Sequence, residues 1–207
     1  MTIRAVVFDL FDVLIYARNL TERNAYETRL GLPENGLEQA MFRSPQFREA
    51  IEGRVSEKEL WRDVAHNIGV DTQDWSTLAA TFYSAIELNI ELVAFLRTLR
   101  PHFKTAILTN APYTVRTLVT QQFHLDREVD TVIISSEERV MKPQPEIFRI
   151  AASRLGIQPD EAIFVDDELR FIEAAQSIGM IGLQFIETKQ TIAEIQLYLE
   201  HNTLEHS

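Results

Sequence analysis

The sequence predicts an α/β protein: a doubly wound, Rossmann-like parallel sheet core carrying a small inserted helical cap. Three observations predict it. Short apolar runs rich in β-branched residues recur at 3–8, 105–108, 131–134, 162–165 and 181–185, most of them separated by segments of helical period. These runs are nearly continuous in apolar residues, as strands covered by helices on both faces require. One connection, between the first and second runs, is far longer than an ordinary strand-to-helix loop and must form a layer of its own.

The first run ends in an acid, Asp9. Residues 16–88 then show helical periodicity and no convincing strand. Leu60, Trp61, Val64 and Ile68 form one face there, preceded by Ser56 and Glu59 at capping-box spacing. Residues 16–87 are therefore expected to make a helical cap over the end of the first strand, with 1–15 and 88–207 making the core. After the third run, Ile147, Phe148, Ala151, Ala152 and Leu155 lie on one helical stripe that stops at Gly156. After the fourth, Leu169, Ile172, Ala175 and Ile178 form a stripe that stops at Gly179.

Composition narrows the function classes. With 45% apolar and 25% charged residues, the 207-residue chain has the makeup of a folded globular protein. Its net charge of -11 repels polyanions, and no basic patch offsets it, which argues against nucleic-acid binding. The absence of cysteine excludes disulfides, thiolate metal sites and a cysteine nucleophile. No apolar run approaches the roughly 20 residues that would span a bilayer, and the first is too short for a signal sequence, so no membrane role and a cytoplasmic location are expected.

In open parallel sheets, ligands bind beyond the carboxyl ends of the strands. Polar residues stand at four of those ends: Asp9, Thr109-Asn110, Ser135-Ser136 with Lys142 downstream, and Asp166-Asp167. By themselves these residues also fit blander roles. Asp166-Asp167 suits a helix N-terminus, Thr109-Asn110 suits the cap of a helix starting near Pro112, and a lone lysine is usually a solvated charge.

Together, the segments Phe8-Asp9-Leu10-Phe11-Asp12-Val13-Leu14, Ile107-Leu108-Thr109-Asn110, Lys142-Pro143-Gln144-Pro145-Glu146-Ile147-Phe148 and Phe164-Val165-Asp166-Asp167 resemble the four signature motifs of the haloacid dehalogenase superfamily, in the family's order. The segment 53–61 is similar to the helical cap of the subgroup that contains the glucose-1-phosphate phosphatase and the phosphatase domain of soluble epoxide hydrolase. The resemblance implies that Asp9 is a covalent nucleophile. It implies a magnesium ion held by Asp9, the backbone carbonyl of Phe11, and Asp167 with Asp166 in support, since oxygen donors suit that ion. Thr109 through its hydroxyl and Asn110 through its backbone N–H would then steady the transferring group, and Lys142 would neutralise it beside Asp9.

One position departs from the family's phosphatases. They carry a second aspartate two residues after the nucleophile, to protonate the leaving group, and here that place is Phe11. Strand alternation puts Phe11 on the face of Asp9 and Asp12 on the other, unless a bulge intervenes. Loss of a general acid removes roughly 10² to 10⁴ in rate. An aromatic residue also occupies this position in the family's haloacid dehalogenases, which work without metal. The retained Asp166-Asp167 pair instead favours phosphoryl chemistry on a small phosphate monoester. A 2-haloacid dehalogenase, or a degenerate member that binds a phosphate ligand or a partner, are the alternatives. Arg18, Arg23, Arg43, Arg48 and Arg54 are candidates to bind the substrate body, and Met41, Phe42 and Phe47 are expected to pack in the cap core or against a second subunit. Oligomeric state is not legible in the sequence.

Overall fold

A computed structural model describes residues 2–204. Its strands are, in chain order, β1 (Ala5–Phe8), β2 (Ile15–Ala17), β3 (Ile86–Leu88), β4 (Lys104–Thr109), β5 (Thr131–Ile134), β6 (Ala162–Asp166) and β7 (Ile181–Gln184). The five apolar runs supply one parallel sheet in the order β5-β4-β1-β6-β7. Phe8 pairs with Ile107 on one side and with Val165 on the other, so the central strand and its two neighbours end nearly level. Asp9, Thr109 and Asp166 therefore emerge along one edge.

Alternation along β1 divides the core into two layers. Val6 and Phe8 face a cluster with Ile107, Ile163, Leu92, Leu96 and Ile195, which includes α6 (Ile90–Leu99). Ala5 and Val7 face the other, where α9 (Pro145–Leu155) and α10 (Leu169–Ser177) bring Ile147, Phe148, Ala151, Phe171 and Ile172. Gly156 closes α9 with a left-handed residue at φ 69°, a conformation that favours glycine. In α10 the buried stripe is Phe171, Ile172 and Ala175; Leu169, expected on it, is 53% exposed because it opens the helix at the solvent edge.

The long connection folds into α1 (Thr21–Arg29), α2 (Gly36–Arg43), α3 (Pro45–Ile51), α4 (Glu57–Asn67) and α5 (Trp75–Tyr83). These helices bury their own cluster, with Leu37, Leu60, Trp61, Val64 and Leu78 fully enclosed. Each such side chain contributes about 1.5–3 kcal/mol on leaving water. The Ser56–Glu59 capping box forms at the start of α4, with both reciprocal bonds present. Two strands appear where none was expected: β2 and β3 pair antiparallel, Ile15 opposite Leu88. At three residues each they are too short to print a period-two pattern.

Two contacts fasten this helical layer to the sheet. Ser135, at the start of α8 (Ser135–Glu138), donates its hydroxyl to the Ile51 carbonyl at 2.5 Å and accepts the Ala111 N–H at 3.0 Å. Gly53, at φ 70°, lies so close to the Ser136 carbonyl that any Cβ there would collide with it. The Ala111 bond also helps explain why the helix expected near Pro112 starts only at Val115, continuing as a π-helical turn over Leu118–Gln122. Among the described residues, no helix is long and apolar enough to cross a membrane.

Candidate active site

Lys142 reaches the sheet edge from the loop before α9 and is 1% exposed. Its ammonium lies 2.8 Å from Asp9 Oδ1 and 2.6 Å from Asp166 Oδ2. Asn110 clamps the backbone that carries it: the Asn110 amide donates to the Lys142 carbonyl at 2.9 Å and accepts the Lys142 N–H at 2.8 Å. The Lys142–Pro143 peptide is cis. Four segments distant in sequence are thus fixed to one point.

Asp9, Asp166 and Asp167 each offer a carboxylate oxygen within 4.8 Å of the others. One ammonium cannot balance three carboxylates. Burial pushes the Asp9 carboxyl up, the neighbouring Lys142 pulls it down, and Asp166 pushes it up again, leaving it raised. Burial works against the Lys142 charge, yet Asp9 and Asp166 outweigh it and hold the ammonium above its ordinary range. Asp167 is pushed up to about 6, first by burial and then by the charges of Asp166 and Asp12. The Lys142 ammonium is the contact of the buried Asp9 Oδ1. A hard divalent cation fits a donor set of clustered carboxylates with unbalanced negative charge.

Asp166 does not serve as a plain helix cap. Its Oδ1 takes the Glu168 N–H at 2.9 Å while Oδ2 holds Lys142, and Asp167 lines the cavity above. Thr109, 1% exposed, and Phe11 line the same cavity of about 400 Å³. Asp12 does too, which overturns the expectation that it faces away. The strand ends at Phe8, so alternation no longer governs, and Asp12 adopts a left-handed φ of 58° that turns the chain under the cavity. Burial and the charge of Glu38 raise its carboxyl.

A model of the haloacid dehalogenase-like hydrolases matches residues 3–179. The chain belongs to that family. Among hydrolases of known name, it is 25% identical over 206 residues to the sesquiterpene phosphatase astK of Aspergillus oryzae, across 94% of this chain and 96% of that protein. It is 29% identical over 196 residues to the glyceraldehyde 3-phosphate phosphatase of Methanopyrus kandleri, across 88% and 83%. Against bifunctional epoxide hydrolase 2 of Sus scrofa it is 25% identical over 214 residues, 95% of this chain but 39% of that longer protein. In fold it is similar to a family enzyme from Bacteroides thetaiotaomicron solved with magnesium and inorganic phosphate, at 21% identity and TM-score 0.71 over 88% of this chain and 93% of that one. It is also similar to the L-2-haloacid dehalogenase of Xanthobacter autotrophicus, at 24% identity and TM-score 0.67 over 91% and 80%.

The cavity of this hydrolase is also lined by Glu38, Phe82, Tyr83 and Arg170, which the sequence did not single out. Of the five candidate arginines only Arg23 lines the cavity, and it is 1% exposed. Its guanidinium bonds Glu38 at short range, Asn35 Oδ1 at 3.3 Å and Glu27 at 3.5 Å. Arg48 and Arg54 instead pair with surface glutamates of their own layer, and Arg18 stacks over Tyr16. Met41, Phe42 and Phe47 are cavity wall rather than core alone. Nothing in the sequence separated Arg23 from the other four candidate arginines except Glu27 four residues on.

Proposed function

We propose that this hydrolase removes the phosphoryl group from small phosphate monoesters, with magnesium, through an aspartyl-phosphate at Asp9. The observation that carries the reading is the cluster at the sheet edge: one lysine set between Asp9 and Asp166, with Asp167 beside them. Asp9, Asp166, Asp167 and the Phe11 carbonyl would hold the ion. When bound, it lowers the repulsion between the carboxylate and an anionic ester.

The chain's own residues do the rest. An Asp9 oxygen attacks phosphorus as the ester P–O bond breaks. Lys142, the Thr109 hydroxyl and the Asn110 backbone N–H face the charge on the phosphoryl oxygens. Asp12, placed under the same cavity, gives a proton to the departing alkoxide. It then takes one from the water that attacks phosphorus, which frees Asp9 and releases phosphate. The phosphatase names of the two relatives that run the length of the chain support this chemistry.

Turnover of p-nitrophenyl phosphate tests it. Activity is expected with magnesium, to vanish with a chelator, and to fall at least about 10⁴-fold in Asp9→Asn. Undiminished turnover in Asp9→Asn would overturn the proposal. Phe11 and the likeness to the L-2-haloacid dehalogenase favour a second reading. Chloride release from 2-chloropropionate without metal would establish it in place of the first.

A further inference from the structure

Resting on that reading of the site, we propose that the alcohol of the preferred substrate is apolar: the ester is an alkyl or aryl phosphate, not the phosphate of a polyhydroxylated compound. The cavity is two-sided. Its floor is the charged sheet edge, and its wall, supplied by the helical layer, is Met41, Phe42, Phe47, Ile51, Phe82 and Tyr83.

The charged groups beside this wall are held by other side chains of the protein. Arg23 is bonded through Nη2 to Glu38 and Asn35 and through Nε to Glu27. Arg170 is bonded to Glu168 at 2.6 Å. The Tyr83 hydroxyl is hydrogen-bonded to Glu57. A sugar or glycerol hydroxyl placed against Met41, Phe42, Phe47, Ile51 and Phe82 would leave water without a replacement partner, a loss of roughly tenfold in affinity for each such group. Aliphatic or aromatic carbon meets no such obstacle and displaces water from ring faces instead.

The rim makes the same point. Phe42 is 56% exposed and stands edge-on to Phe47, with ring centroids 5.0 Å apart. An aromatic side chain left in water at the mouth of a 400 Å³ cavity presents a surface that an apolar ligand would cover. The volume leaves room for a body well beyond the phosphoryl group.

Comparison of kcat/KM, with magnesium, for butyl, hexyl and octyl phosphate against glycerol 3-phosphate and glucose 6-phosphate tests the proposal. We expect a rise of roughly threefold per methylene until the cavity is filled. The hydroxylated esters should fall at least about 100-fold below octyl phosphate. Equal or better turnover of either hydroxylated ester, or no dependence on alkyl length, overturns it. Phe42→Ser changes a largely exposed position and should cut the octyl-to-glycerol ratio by about tenfold; an unchanged ratio removes the rim from the argument and counts against the proposal. Calorimetric binding of octylphosphonate and glycerol 3-phosphate separates this inference from the hydrolytic reading. If no ester turns over yet octylphosphonate binds the tighter, the hydrolytic reading fails and the apolar wall stands. If it binds no tighter, the wall assignment fails.

Discussion

Two cations, Lys142 and Arg23, are each 1% exposed, and both line the same cavity. Their surroundings differ in what they leave over. Arg23 distributes its planar fork over Glu38, Asn35 and Glu27, and Glu27 also receives the Leu37 N–H at 2.9 Å. Acceptors there find donors inside the protein. Lys142 is a single point charge among Asp9, Asp166 and Asp167, and the Asp9 and Asp167 carboxyls are both raised. A buried charge network that closes on itself positions helices; one that stays short of positive charge is built to receive it from a ligand.

Removing the cation from the unbalanced cluster should have the largest effect. In Lys142→Met, Asp9 and Asp166 face each other with nothing between them, and we expect p-nitrophenyl phosphate turnover to drop at least about 10³-fold. Stability should fall by about 3–5 kcal/mol, the usual result of stripping one partner from a buried pair. Magnesium should return part of that loss in a melting experiment, because an ion that binds only the folded state supplies the missing charge. A variant that melts like the parent and ignores magnesium would show the two clusters to be alike.

Asp12 gives the next effect. Asp12→Asn should lower kcat by about 10²-fold on an alkyl phosphate and by much less on p-nitrophenyl phosphate, whose leaving group departs without a proton. The contrast between the two substrates is the measurement, since a structural defect would slow both. With Asp12 in that role, Phe11→Asp should bring little gain, and would also disturb the core cluster that the Phe11 ring packs against. A large gain would mean that the acid is missing after all.

These residues also mark how far the sequence could be read. The five sheet strands were legible because both of their faces are buried, which leaves unbroken apolar runs such as Ala5–Phe8. The carboxylates and Lys142 stood out in the sequence only together, through their resemblance to the family's motifs; the level ends of β1, β4 and β6 bring the carboxylates to one edge, and the loop before α9 brings Lys142 to them. Asp12 was not, since a left-handed turn at a residue other than glycine is set by its surroundings rather than by pattern. Neither was the delayed start of the helix at Val115, because it depends on Ser135 taking the Ala111 N–H and on Asn110 binding Lys142, contacts across 24 and 32 positions of chain. Arg23 could be named only as one of five candidate arginines. The buried residues of α1 are Arg23 and Glu27, so that helix has no apolar stripe to announce which side faces inward.

That same feature makes Arg23 the sharpest control on the comparison. Arg23→Met keeps the side chain's length and its packing near Phe82, over which the guanidinium sits at 5.4 Å, but removes the charge. Glu27 is then left buried with the Leu37 N–H and no cation, at a cost of about 3 kcal/mol in stability. Turnover of p-nitrophenyl phosphate should change less than about tenfold, because the lost charge neutralises glutamates rather than the reacting group. Magnesium should stabilise this variant by as much as it stabilises the parent, since the sheet-edge carboxylates are untouched. If turnover instead collapsed while the melting temperature held, Arg23 would be acting on the substrate, and the closed network would have to be reread as part of the chemistry.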